Sequence, residues 1–133
     1  MKTTATRTKK RGFSLVEVLT AAVLLGILSF IAIPNIVRMK QDSEVNLAIA
    51  RAEAVNMSLA AYLQANGRSV AVSGWSSASS AANRYALLKP YLAFAPENFA
   101  DYMPEGFVIT LPTSIASLQK VTLKTSSESE IVY

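Results

Sequence analysis

From Val18 to Val37 the chain runs twenty residues without a charge, a length that in helical form matches the hydrocarbon core of a bilayer, roughly 30 Å thick. Beyond Pro34 the apolar residues thin into a stripe. Val45, Ile49, Ala52, Val55, Leu59, Tyr62 and Leu63 recur at three- to four-residue steps, while Asp42, Glu44, Arg51 and Glu53 fall mostly elsewhere. Together the two patterns predict one helix from Phe13 to about Ala65. Its first half, residues 14–37, is apolar on every face and long enough to span a membrane. Its second half turns one face to a core. Asn66-Gly67 supplies the stop, and a helix of about 53 residues rising 1.5 Å each makes a rod of roughly 80 Å.

The rest of the chain reads as a small head, residues 67–133. Ser73 to Asn83 is rich in Ser and Ala around Trp75 and shows no period, which predicts a surface loop. Ala82 to Leu88 predicts a short helix ended by Pro90. Tyr91 to Met103 predicts irregular or short-helical chain whose aromatics pack on the long helix. Gly106 to Leu111 and Gln119 to Lys124 alternate or carry β-branched residues, predicting two strands joined across Pro112, with a short third at Ile131 to Tyr133. The fold class is therefore α+β: a long N-terminal helix packed on a small antiparallel sheet.

Charge gives the orientation. Lys2, Arg7, Lys9, Lys10 and Arg11 supply 5 of the 13 basic residues, and all 9 acidic residues follow Gly12. The basic leader predicts a cytoplasmic N-terminus, with the head on the other side of the membrane. A buried core helix is a poor alternative, because about a hundred further residues cannot cover a helix that is apolar all round. An ordinary signal peptide is a poor one too, since the run ends in Ile33-Pro34-Asn35-Ile36 without a small-x-small cut site. The absence of Cys excludes disulfides and thiolate metal sites, and the absence of His removes the commonest general base.

At the leader junction, Lys10-Arg11-Gly12-Phe13-Ser14-Leu15-Val16-Glu17 closely resembles the type IV prepilin family, which includes the pseudopilins of type II secretion systems. The resemblance covers roughly residues 9–66. It implies a leader, residues 1–12, removed by prepilin peptidase after Gly12, N-methylation of the new amine of Phe13, and a pilin-like fold. It also implies the partners: prepilin peptidase, other copies of the chain, related pilin subunits, an inner-membrane assembly platform and the lipid bilayer. Gly26 and Pro34 fall where these proteins commonly carry helix-weakening residues.

The residues support that reading on their own chemistry. A glycine at the cut does not obstruct a protease. A carboxylate in a membrane helix costs about 2.5–3.5 kcal/mol at the centre and less near an interface. The helix dipole returns about 0.3–1 kcal/mol, only part of that cost. Cleavage supplies the missing cation, so Glu17 is expected to pair with the Phe13 amine of an adjacent subunit and set the filament register. Pro34 cannot donate to the Phe30 carbonyl, and Gly26 costs up to about 1 kcal/mol relative to Ala, so the stretch between them is expected to be weak.

No nucleophile, base and orienting group can be assembled, so no enzyme is expected, and no cofactor. Glu97, Asp101 and Glu105 recur four apart, but Pro104 breaks that helix. Glu128 and Glu130 lack the spacing of a calcium loop, so no metal is expected either. The lack of Cys excludes the disulfide loop of many pilins and points toward a pseudopilin or a compact minor pilin. The expectation is a structural subunit of a type IV pilus-like or type II secretion pseudopilus filament, in the bacterial inner membrane with its head periplasmic or extracellular. Two alternatives stand beside it. A competence-type pilin that binds DNA needs a basic cluster, but Arg68, Arg84, Lys89, Lys120 and Lys124 are scattered, so a nucleic-acid partner is not expected. The other is a membrane-anchored protein that does not polymerise.

Overall fold

The computed structural model describes residues 12–133, and the leader before Gly12 lies outside them. Helix α1 spans Leu15–Asn66, 52 residues, and is followed by α2, Arg68–Ser77, and α3, Ala81–Leu88. Single 3-10 turns at Lys89–Tyr91 and Phe99–Asp101 lead to the strands β1, Phe107–Thr110, β2, Thr122–Thr125, and β3, Glu130–Ile131. The sheet is antiparallel in the order β1-β2-β3. This is the α+β, pilin-like layout. The chain divides into two compact units, Met1–Lys40 and Gln41–Tyr133, described in turn.

In the first unit α1 is helical throughout, Gly26 and Pro34 included. Among the described residues α1 is the helix long and apolar enough to cross a membrane, and its most apolar stretch of 18 residues is entirely uncovered by protein.

The second unit is built on the later turns of α1. Ala48, Ala52, Val55, Leu59 and Tyr62 are buried, while Val45, Ile49 and Leu63 are half-buried beside them. The expected stripe is thus the core face, with Ala48 added to it. Against it lie Leu88, Tyr102, Ile109, Leu111, Ile115, Val121 and Leu123. The aromatics of the irregular segment pack on α1 as expected. Tyr102 donates its hydroxyl to the Arg51 carbonyl at 3.1 Å, and Arg51 returns a hydrogen bond to the Tyr102 carbonyl.

The structure corrects one expectation outright. Ser73 to Asn83 is not a surface loop, because its first half belongs to α2 and Trp75 is fully buried. Gly67, at φ 76°, ends α1 in a conformation that glycine adopts at no steric cost, and the chain turns back as a second helix. Ala71 and Trp75, four apart, bury one edge of α2. Its serines return hydrogen bonds to their own helix: Ser76 to the Val72 carbonyl at 2.8 Å and Ser77 to that of Ser73 at 3.0 Å. Gly74 lets the two helices close up, since a β-carbon there would stand 2.7 Å from the Tyr62 hydroxyl.

The strands shift slightly from their expected ends for one shared reason. The Val121 N–H donates to Asn56 Oδ1 on α1 at 2.9 Å, so the β2 ladder begins only at Thr122. Tyr133 likewise turns toward α1. Its hydroxyl donates to the Val121 carbonyl at 2.6 Å and accepts from Asn56 Nδ2 at 3.3 Å, so β3 stops at Ile131.

Candidate functional site

Gly12, Phe13 and Ser14 precede the first helical turn and are exposed, Phe13 to 89%. The Gly12–Phe13 peptide bond therefore lies in non-helical, accessible chain. Immediately after it the structure builds a cap. The Ser14 N–H donates to Glu17 Oε2 at 2.7 Å, and the Glu17 N–H donates to Ser14 Oγ at 3.2 Å. This reciprocal pair is a capping box, which satisfies two main-chain donors at the start of α1. The sequence carries this signal as Ser14-x-x-Glu17, in the same residue that stands out as a lone charge in an apolar helix. The cap occupies one carboxylate oxygen, and a carboxylate accepts at both.

Phe13, Glu17, Val18, Ala21, Ala22 and Leu25 line one shallow groove along α1, so Phe13 and the Glu17 carboxylate share a face. Further along, the polar side chains spend their donors on the helix itself. Thr20 donates to the Val16 carbonyl at 2.7 Å, Ser29 to that of Leu25 at 2.7 Å, and Asn35 to that of Ile31 at 3.5 Å. Such back-bonding makes polar groups tolerable where water is absent. Nothing lies within 4 Å of where a Gly26 β-carbon would be, so packing within this chain does not demand glycine there. Pro34 sits within the helix and has no N–H for the Phe30 carbonyl.

The head places its charged groups in separate structural roles. Lys120 donates to Glu53 Oε1 at 2.8 Å and to the Tyr133 main-chain oxygen at 3.0 Å. The hydrogen bond with Lys120 holds the Glu53 carboxyl below its ordinary range, and the same bond raises the Lys120 ammonium. Arg84 donates to the carbonyls of Ala78 at 3.1 Å and Pro112 at 3.3 Å, and Arg68 to that of Ala116. Arg51 lies 4.4 Å from the centre of the Phe94 ring. The acidic residues that recur four apart do not converge: Glu97 lies 3.9 Å from Lys89, while Asp101 accepts from Asn98 at 3.2 Å. Among the described residues no group of three or more acidic side chains is placed to hold a metal ion.

What the structure gathers is therefore at the start of α1, where the exposed Gly12–Phe13 bond, a capped helix and a carboxylate adjoin an uncovered apolar surface. No curated protein and no solved structure matches the chain. One family description does match, over the segment that carries this arrangement. Residues 7–33 carry the prokaryotic N-terminal methylation motif, the signature of prepilins and pseudopilins.

Proposed function

We propose that the chain is a non-catalytic filament subunit of the type IV pilus or type II secretion pseudopilus kind. Its precursor sits in the bacterial inner membrane, leader inward and head outward. Prepilin peptidase removes residues 1–12 by cutting between Gly12 and Phe13 and methylates the Phe13 amine. The mature chain, helix 13–66 and head 67–133, then joins copies of itself and related subunits at an inner-membrane assembly platform.

The observation that supports this most is an apolar helix surface with no protein cover, interrupted at its start by a carboxylate. Lipid satisfies the apolar part but not Glu17. With one oxygen engaged by Ser14, Glu17 still offers an acceptor to the ammonium of Phe13 on a neighbouring subunit. Gly26 and Pro34 fit the same reading, as the stretch that yields when helices leave the bilayer and pack.

Mass spectrometry of the protein from its native membrane tests the proposal directly. The expected N-terminus is a methylated Phe13, and retention of the first twelve residues would refute it. Glu17→Ala should insert and be cleaved but give no filaments. Pro34→Ala should alter filament rigidity more than head stability, read by stretching filaments and melting subunits.

A further inference from the structure

We propose that the open edge of β1 is a strand-addition site for an extended, cation-bearing segment of another protein. β1 is the outer strand of the sheet and, among the described residues, is paired only with β2. The hydrogen bonds fix which of its groups face outward. The Ser126 N–H donates to the Gly106 carbonyl at 2.8 Å, and the Thr125 N–H donates to the Ser129 carbonyl at 2.9 Å. Main-chain groups alternate along a strand, so Thr122, Lys124 and Ser126 turn theirs toward β1, and Leu123 and Thr125 toward β3. Phe107 stands opposite Thr125, and Ile109 opposite Leu123. Their main-chain groups therefore face away from β2. The Phe107 N–H returns to the Pro104 carbonyl at 3.2 Å, which leaves the Phe107 carbonyl and the Ile109 N–H and carbonyl directed along the edge.

A groove runs beside those groups, lined by Phe99, Ala100, Met103, Phe107, Val108 and Ile109. It takes in Phe107 and Ile109 from one face of β1 and Val108 from the other, which places it along the edge rather than over a face. At about 220 Å³ it is smaller than small-molecule pockets, typically about 300–1,000 Å³, and suits one or two apolar side chains of a strand. Edge strands are commonly protected by short length, charges or proline. Phe107-Val108-Ile109-Thr110 is four residues long but carries neither charge nor proline, and Val108 is 54% exposed although Ile109 itself is buried. Unpaired main-chain groups beside an apolar slot are what an added β-strand uses, the backbone giving affinity and alternate side chains specificity.

The rim sets the charge of the occupant. Asp101 adjoins Ala100 and Glu105 lies between Met103 and Phe107, and both are exposed; Arg51, the cation the structure places nearby, is engaged by the Tyr102 carbonyl and the Phe94 ring. Lys124, in register with Val108, lies across β1 from the edge. A lysine or arginine at the end of an added strand meets these carboxylates, whereas an acidic strand is repelled. The site works in the subunit itself and does not depend on filament formation.

The test uses the full chain in detergent micelles, with amide hydrogen exchange read by NMR. One probe is an amidated peptide alternating valine and threonine with lysine at each end, and the other carries glutamate in place of lysine. The lysine peptide in excess should slow exchange at the Ile109 amide by about tenfold or more, the effect of a bound strand's hydrogen bonds, and leave Leu123 unchanged as the control. The glutamate peptide should have little effect on the native chain and should become the better binder to the Asp101→Lys, Glu105→Lys double variant. An equal response to both peptides, or none, overturns the proposal. So does Ile109 protection that rises with protein concentration alone, since that assigns the edge to a second copy of this chain.

Discussion

Truncating Trp75 to alanine should remove a large fraction of the head's stability. The indole is fully buried, its N–H donates to the Pro112 carbonyl at 2.9 Å, and its ring centre lies 6.3 Å from that of Tyr62. Large-to-small changes of this kind cost about 3–5 kcal/mol. The compact unit Gln41–Tyr133 has about 93 residues, for which a total of roughly 5–14 kcal/mol is expected. With a urea dependence of about 2 kcal/mol per molar, the midpoint should fall by about 1.5–2.5 M. Trp75→Phe separates packing from hydrogen bonding. It keeps a ring and leaves the Pro112 carbonyl with its second donor, Arg84 at 3.3 Å, so it should cost only about 1–2 kcal/mol. The assay is urea unfolding of the full chain in mild detergent, followed by near-ultraviolet circular dichroism of the tyrosines. A Trp75→Ala midpoint within about 0.5 M of the unaltered protein would refute the docking of α2.

Gly74→Ala should destabilise the head by about 1–3 kcal/mol, because the added carbon meets the Tyr62 hydroxyl, and Tyr62→Phe in the same chain should recover part of the loss on thermal melting. Burial is the leading cause that pushes the Tyr85, Tyr102 and Tyr133 hydroxyls above the ordinary tyrosine value. A raised native value means that the folded head holds these protons more tightly than the unfolded chain. Their contribution is then complete below about pH 10 and fades as pH rises through the native values, so phenolate absorbance in an alkaline titration should rise together with unfolding. Ser14→Ala should fray the first turn of α1 at a cost of about 0.5–2 kcal/mol, seen as faster amide exchange at Val16 and Glu17. Glu17→Gln should keep that turn protected yet fail to form filaments, and normal filaments from it would refute the charge pairing.

The long helix was legible because two periods fix it: an uncharged run too long for a small core, then a stripe at three- to four-residue steps. The strands were legible in existence and less so at their ends. Asn56 and Tyr133, distant in sequence, take main-chain groups of Val121 that would otherwise extend the ladder, and no local pattern announces such a contact. α2 failed for a different reason. Its buried edge rests on Ala71 and Trp75, and the serines that suggest a loop bond to their own helix carbonyls. A short helix docked through small residues and a glycine leaves almost no hydrophobic period to read.

The capping box sharpens the case for Glu17 as a charge. An N3 residue in such a box can cap as glutamate or as glutamine, so the bond from the Ser14 N–H, although stronger to a carboxylate, does not by itself require the ionised side chain. In a bilayer the neutral amide is the cheaper choice, since a carboxylate near the hydrocarbon carries the larger desolvation cost. The helix dipole favours an anion at this turn but offsets only part of that cost. What distinguishes glutamate from glutamine is thus a demand for negative charge that the cap and dipole of a single chain meet only in part. The proposed Gly12–Phe13 cut would create a cation able to meet it within the apolar environment, where this chain offers no other, because every Lys and Arg side chain lies at or before Arg11 or at or beyond Arg38.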